Sequence, residues 1–248
     1  MSNNSVIAVI PARYGSSRFP GKPLALIAGK PMIQRVYECA READAIDQVV
    51  VATDDDRIAA AVADFGGEAV MTSCDHQTGT DRIAEAIADC PGDIVLNVQG
   101  DEPLLPAEVL NGLVDAMKNS EADMGTVAVP FGLTGRDPGD PNAVKVVVDS
   151  EGYALYFSRA LIPFDRDGSR DVEPLLHWGL YAYRREFLQR FVGWPRGRLE
   201  ACEMLEQLRA LENGARIMVV TTQHLGAGVD VPEDVQRVEA ILREREES

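Results

Sequence analysis

Apolar residues fall along this chain in two alternating rhythms. Short unbroken runs at 6–10, 48–53, 69–71 and 94–98 are built mainly from Val, Ile and Ala, as strands buried on both faces require. Between them, the stretches 31–44, 54–65, 79–90 and 106–118 are amphipathic; Ile58, Ala59, Val62 and Phe65, for example, recur at helical spacing. Pro31 suits the first turn of the first helix, and Gly66-Gly67 suits the end of the next. Short strands alternating with helices predict a mostly parallel α/β sheet. The middle of the chain is richer in strands, expected at 125–129, 144–149, 153–158 and 179–183, with loops at 132–142 and 164–174 rich in Gly, Pro, Asp and Arg. A helix at 200–212, a strand at 216–221 and a last helix at 232–245 complete the pattern. No repeat, low-complexity run or linker interrupts it. The expectation is one α/β domain over 1–248, with a smaller β-rich elaboration at about 130–190.

Composition narrows the possible functions. No apolar run approaches the ~20 residues needed to span a bilayer. The first run ends at once in Pro11, without the basic head and cleavage site of a secretory signal. A cytoplasmic protein with no membrane partner is expected. Cys39, Cys74, Cys90 and Cys202 form no C-x-x-C pair, and His76, His177 and His224 are scattered, so these read as packing or surface groups and not as a zinc site. The net charge of −16 repels nucleic acid. Yet Arg13, Arg18, Lys22, Lys30 and Arg35 all precede the first acid, Glu38. An acidic chain that keeps its opening segment free of carboxylates has a place there for an anion.

That place is the loop after the first strand, where PARYGSSRFPGKPL supplies Gly15, Gly21, three prolines, two serines and the cations Arg13, Arg18 and Lys22. Glycines let backbone N–H groups approach phosphate oxygens, prolines stiffen the loop, and the cations add charge-assisted bonds. A Walker A loop is excluded, because five residues separate Gly15 from Gly21 and Pro23 follows Lys22. The G-x-G-x-x-G fingerprint is missing too, which argues against a dinucleotide-binding oxidoreductase. At the end of the fourth strand, NVQGDEP places Asp101 and Glu102 on a turn permitted by Gly100. A nucleoside triphosphate enzyme needs a hard-oxygen ligand for Mg²⁺ near its phosphates, and Asp101 is one candidate. Asp230, in GVDVPED before the last helix, reads equally as a cap or a surface acid. Glu233 and Asp234 read as structural acids favoured by the helix dipole.

The loop resembles the signature of the cytidylyltransferases for 3-deoxy-manno-octulosonate (Kdo). The likeness runs on in order through VVVATDDDRI, HQTGTDRIAEA, VLNVQGDEPLLP, NAVKVVVDSEGYALYFSRALIPFDRD, HWGLYAYRREF, EMLEQLRALENG and GVDVPEDVQRV. The resemblance implies a Rossmann-like nucleotide-diphospho-sugar transferase sheet and the reaction CTP + Kdo → CMP-Kdo + pyrophosphate, for lipopolysaccharide biosynthesis. It implies CTP contacts at Pro11, Ala12, Arg13, Gly79, Thr80 and Asp101, with Arg18, Lys22 and Asp101 catalytic. It implies Mg²⁺ on Asp101 and Asp230, which must then meet in space. The sugar would be bound by Gln99, Arg159, His177, Tyr181 and Glu206, with Arg159 suited to its carboxylate. Members of the family are generally homodimers, and the 130–190 region could supply the interface. A cytidylyltransferase for 8-amino-Kdo or another acidic sugar stays open, as does a non-catalytic sugar-nucleotide sensor. Such a sensor is expected to lack a metal carboxylate or a phosphate-loop base.

Overall fold

Strand β1 (Val6–Ala12) is the apolar run that leads into the basic loop, and Val6 to Ile10 are almost wholly buried. The structure, a computed structural model, describes residues 5–15, 19–169 and 172–246. After a small hairpin of β2 (Leu26–Ile27) and β3 (Lys30–Pro31), Pro31 caps helix α1 (Met32–Arg41), which buries Met32, Ile33, Val36 and Ala40. β4 (Gln48–Thr53) lies parallel to β1, with Ile7 opposite Gln48 and Ala12 opposite Thr53. Asp55 caps α2 (Asp56–Asp64) by accepting from Arg57 N–H, and Gly66, at φ 78°, ends that helix as its position predicted. β5 (Ala69–Met71), α3 (Gly79–Ala86) and β6 (Ile94–Asn97) follow. The parallel strands run in the order β6-β1-β4-β5.

That order carries a functional consequence. From β1 the chain moves to β4 and β5 on one side and then returns to place β6 on the other. Crossovers therefore leave opposite faces at the carboxyl ends of β1 and β6, the crevice where open α/β sheets bind ligands. These strands belong to a unit drawn from Met1–Asn111 and Gly226–Ser248. Its C-terminal helix, Pro232–Glu246, is tied in by a buried cluster of Ile27, Met32, Leu104, Ala227, Val229 and Val238.

The chain enters a second unit, Gly112–Leu225, within α4 (Ala107–Lys118). Here β7 (Met124–Pro130), β8 (Lys145–Val148), β9 (Ala154–Ser158) and β10 (Leu175–Arg184) are mostly antiparallel neighbours, whereas β11 (Ile217–Thr221) runs parallel to β7. β10 is longer than the strand expected at 179–183. Trp178 pairs with Val127 and Tyr181 with Thr126, so Gly179 and Leu180 bulge out between them. Helix α5 (Arg185–Val192), absent from the sequence reading, buries Phe187, Leu188 and Phe191.

The helix expected at 200–212 is instead two short ones, α6 (Arg198–Glu203) and α7 (Gln207–Glu212), broken at Met204, which has φ 54°. The break has an electrostatic reason. In one continuous helix, residues 200 and 209 would stand about 13 Å apart along the axis. Folding the segment back lets the Arg209 guanidinium grip both oxygens of Glu200, each at 2.7 Å, with both side chains buried. Burial raises the Glu200 carboxyl pKa, but the bonds from Arg209 and from Gly197 N–H outweigh it and hold the group below its ordinary range. Arg209→Met should therefore destabilise the protein by about 3–5 kcal/mol by stranding a buried carboxylate. Glu200→Leu/Arg209→Met should recover much of that loss, and chemical denaturation of the three proteins checks both statements.

Candidate active site

At the carboxyl ends of β1 and β6, a cavity of about 320 Å³ opens in the first unit. Pro11, Ala12 and Arg13 line it from β1, Gln99, Gly100 and Asp101 from the turn after β6, and Gly79 from the start of α3. The backbones approach closely here. A Cβ on Gly100 would stand 3.1 Å from the Pro11 carbonyl oxygen, and one on Gly79 would stand 3.4 Å from the Pro11 ring. Thr78 and Asp81 form a reciprocal capping box that fixes the start of α3. Thr80 is buried in that first turn and is not among the lining residues.

The basic loop folds back on itself. Gly21, at φ 71°, donates its N–H to the Tyr14 carbonyl, and the Arg57 guanidinium lies 3.3 Å from the centre of the Tyr14 ring. Arg18 lies outside the described residues. Lys22 reaches the cavity wall, where its Nζ donates to Asp101 Oδ2 at 2.8 Å and to the Val229 carbonyl at 2.9 Å, with Asp230 Oδ1 at 3.9 Å. Asp101 and Asp230, far apart in sequence, thus share one cation. Asp234 accepts from the N–H groups of Asp230 and Val231, so it is the structural acid the sequence suggested.

An all-oxygen set of two carboxylates and a carbonyl, already gathered around a positive charge, suits a hard cation such as Mg²⁺. Among the described residues, no group of three or more His, Cys, Asp or Glu side chains could hold a metal. A metal at this place would rest on the two carboxylates, with the remaining ligands drawn from substrate and water.

Sequence reasoning missed part of the wall. Arg82, His76 and Gln77 also line the cavity. Arg82 is 4% exposed and bonds Thr72 Oγ1 at 2.5 Å and Asp54 Oδ2 at 3.1 Å. Its signal was present, because residue 82 lies three positions after Gly79 and therefore on the same helical face. His76 bonds Glu85, which also accepts from Ser73 N–H and so ties the 73–76 segment to α3.

Of the expected sugar-binding residues, Gln99 lies in the first unit, where its amide donates to Asn97 Oδ1. The other four lie in the second unit. Arg159 donates from Nε, Nη1 and Nη2 to the carbonyls of Glu203, Pro141 and Met204, using three of its five N–H bonds. Its main chain is held by the Glu203 carboxylate and by Lys145, a fully buried lysine whose ammonium donates to the carbonyls of Asp140, Ala143 and Arg159. Desolvation lowers the Lys145 pKa.

His177 and Tyr181 flank the β10 bulge, with ring centres 5.5 Å apart. The Thr126 hydroxyl donates to the bulged Leu180 carbonyl at 2.8 Å and also lies 3.0 Å from His177 Nε2. Having spent its proton, that hydroxyl must accept from Nε2–H, which leaves Nδ1 as the accepting nitrogen of the ring. Burial pushes the His177 pKa down to about 3, so the ring is neutral. Burial, and then the charge of Glu206, pushes the Tyr181 pKa upward. Tyr181 donates to Gln207 Oε1 at 3.3 Å, and Glu206 lies 3.5 Å from Arg209.

The cytidylyltransferase family model matches residues 7–217. The 3-deoxy-manno-octulosonate cytidylyltransferase of Syntrophotalea carbinolica is 54% identical, covering 96% of this chain and 99% of that protein. The enzyme of the same name from Geobacter sulfurreducens is 52% identical, covering 94% and 98%. Among solved structures, CMP:2-keto-3-deoxy-manno-octonic acid synthetase complexed with CTP superposes with a TM-score of 0.92 at 41% identity, covering 97% of this chain and 99% of that one.

The His177 geometry makes a pH prediction. The ring's pKa falls from an ordinary 6.5 when unfolded to about 3 when folded. Below pH 6.5 the unfolded chain takes up a proton that the folded chain refuses. Stability is therefore full above that pH and falls toward pH 3, by at most about 1.4 kcal/mol per unit. Melting temperatures followed from pH 7 to pH 5 should drop less in His177→Gln than in the unsubstituted protein.

Proposed function

The chain belongs to the 3-deoxy-manno-octulosonate cytidylyltransferases, and from that membership we propose that it transfers the cytidylyl group of CTP to Kdo, giving CMP-Kdo and pyrophosphate for lipopolysaccharide assembly. The observation that carries this reading is the convergence of Lys22, Asp101 and Asp230 beside the glycine loop at the sheet's switch point. A sensor that had lost the chemistry would have no reason to keep that set.

In this reading the anomeric hydroxyl of Kdo attacks the α-phosphorus in line and pyrophosphate departs. The chief obstacle is bringing two anions together. Arg13, Arg18 and Lys22 receive the triphosphate, and Lys22 with Arg18 offsets the charge that grows on the leaving pyrophosphate. Pro11, Ala12 and Gly79 form the nucleoside side. Asp101 and Asp230 would hold Mg²⁺, which would supply charge neutralisation of phosphate oxygens and Lewis acidity toward the attacking hydroxyl. Gln99, Arg159, Tyr181 and Glu206 orient the sugar, with the Arg159 guanidinium directed to its carboxylate. His177, with a pKa near 3, is too weak a base to take the hydroxyl proton and serves to accept a sugar hydroxyl at Nδ1.

The chain acts in the cytoplasm as a homodimer in this proposal. Its four cysteines are free thiols, and among the described residues no helix is long and apolar enough to cross a membrane. Leu155, Leu161, Phe164 and Val172 are all exposed within the β-rich region, with Phe164 at 84%, an apolar surface of the kind a second copy covers. Phe164→Glu should shift the protein toward monomer in light-scattering chromatography, and an unchanged mass would remove this surface from the interface.

Pyrophosphate release from CTP and Mg²⁺, with Kdo, 8-amino-Kdo and sialic acid offered in parallel, tests the reaction. Release with Kdo is expected. A preference for 8-amino-Kdo would overturn the substrate and keep the chemistry. Asp101→Asn should lower turnover on the order of 100-fold or more without unfolding the chain, and full activity in that variant would remove Asp101 from the mechanism.

A further inference from the structure

Lys22 stands as a cation between the carboxylates of Asp101 and Asp230. Lys22 Nζ lies 2.8 Å from Asp101 Oδ2, 2.9 Å from the Val229 carbonyl and 3.9 Å from Asp230 Oδ1, and its side chain is only 17% exposed. The main chain that carries the two carboxylates is held by bonds in which Lys22 Nζ is not the donor. The Asp101 turn is closed by Glu102 N–H donating to the Gln99 carbonyl, and Val229 N–H donates to the Asp101 carbonyl. Asp230 is fixed by its own N–H to Asp234, while Arg237 bonds both Asp234 and the Gly228 carbonyl. A Cβ on Gly228 would meet Glu102 Oε1 at 3.2 Å, so this loop is seated directly against the Asp101 turn. These bonds bring the two acidic segments side by side, and Lys22 meets their carboxylates from a separate segment.

Resting on the assignment of Asp101 and Asp230 as metal ligands, we propose that Lys22 is a built-in counter-ion that competes with the divalent metal for these two carboxylates until nucleotide arrives. A divalent cation and an ammonium cannot occupy one small set of oxygens without strong mutual repulsion. The triphosphate resolves the conflict by offering the ammonium a new anionic partner, which frees the carboxylates. Metal and nucleotide then favour one another by thermodynamic necessity, since whatever helps either leave the lysine-closed state helps both. The site is closed to stray metal when empty and opens to it when CTP is present.

Mn²⁺ titrated into nucleotide-free protein, with free ion read by electron paramagnetic resonance, tests this directly. Lys22→Met should bind Mn²⁺ on the order of tenfold more tightly than the unsubstituted chain, because a unit charge has left the site. Lys22→Arg, which keeps the charge, should bind it no more tightly than the unsubstituted chain. Lys22→Gln serves as a second neutral variant, and melting curves verify that each protein is folded. Adding Asp101→Asn to Lys22→Met should abolish the gain. Equal Mn²⁺ affinity in the neutral variants and the unsubstituted chain would overturn the proposal, as would a gain that survives Asp101→Asn. The probe is metal alone, so failure to release pyrophosphate from CTP with any sugar would sink the catalytic reading and leave this result standing.

Discussion

One ammonium group draws three remote stretches of the chain to a point. Lys22 bonds to a carboxylate 79 residues away and to a carbonyl 207 residues away, at the edge where β1 and β6 diverge. No local pattern pairs Lys22 with either partner, and the cost of closing such long loops must be met by what they bring together. Here that is the apolar cluster of Ile27, Met32, Leu104, Ala227, Val229 and Val238, which seats the last segment against the hairpin and the Asp101 turn. The hydrophobic contacts make the approach and the charged contact fixes its geometry, which is the usual division of work between a non-directional and a directional force.

The first unit was legible because its strands are buried on both faces and therefore written in unbroken Val and Ile. β4 and β5 fall on the residues expected, and β1 and β6 lie within two. The second unit was less so. Arg185–Val192 hides its helix among charges, although Phe187, Leu188 and Phe191 give the apolar face away in retrospect. The split at Met204 left no local signal at all. It follows from the pairing of Glu200 with Arg209, a tertiary contact that overrides the helical propensity of the segment between them.

The site divides along the same line. The basic loop stood out because its charge opposes that of the whole chain, and the turn at Asp101 because glycine precedes an acid at a strand end. The surroundings of Arg159 did not stand out. Its place depends on Lys145, which reads in sequence as one more polar position in a strand yet is wholly buried with its three N–H bonds spent on carbonyls. The resemblance to known cytidylyltransferases supplied the roles expected of residues in this unit, and the geometry added what likeness could not. His177 is a neutral acceptor through Nδ1 because a threonine hydroxyl has given its only proton to a bulged carbonyl.

The return of the chain to its first unit has a consequence for how the protein is made. Lys22 and Asp101 emerge from the ribosome early, and the whole of Gly112–Leu225 follows before Val229 and Asp230 appear. A nascent chain can pair its β1, β4 and β6 while Val229 and Asp230 are still untranslated. The cluster around Lys22 is thus completed only once Val229 and Asp230 have been made, and a message cut short before them yields a sheet with the basic loop but without two of the partners that Lys22 meets.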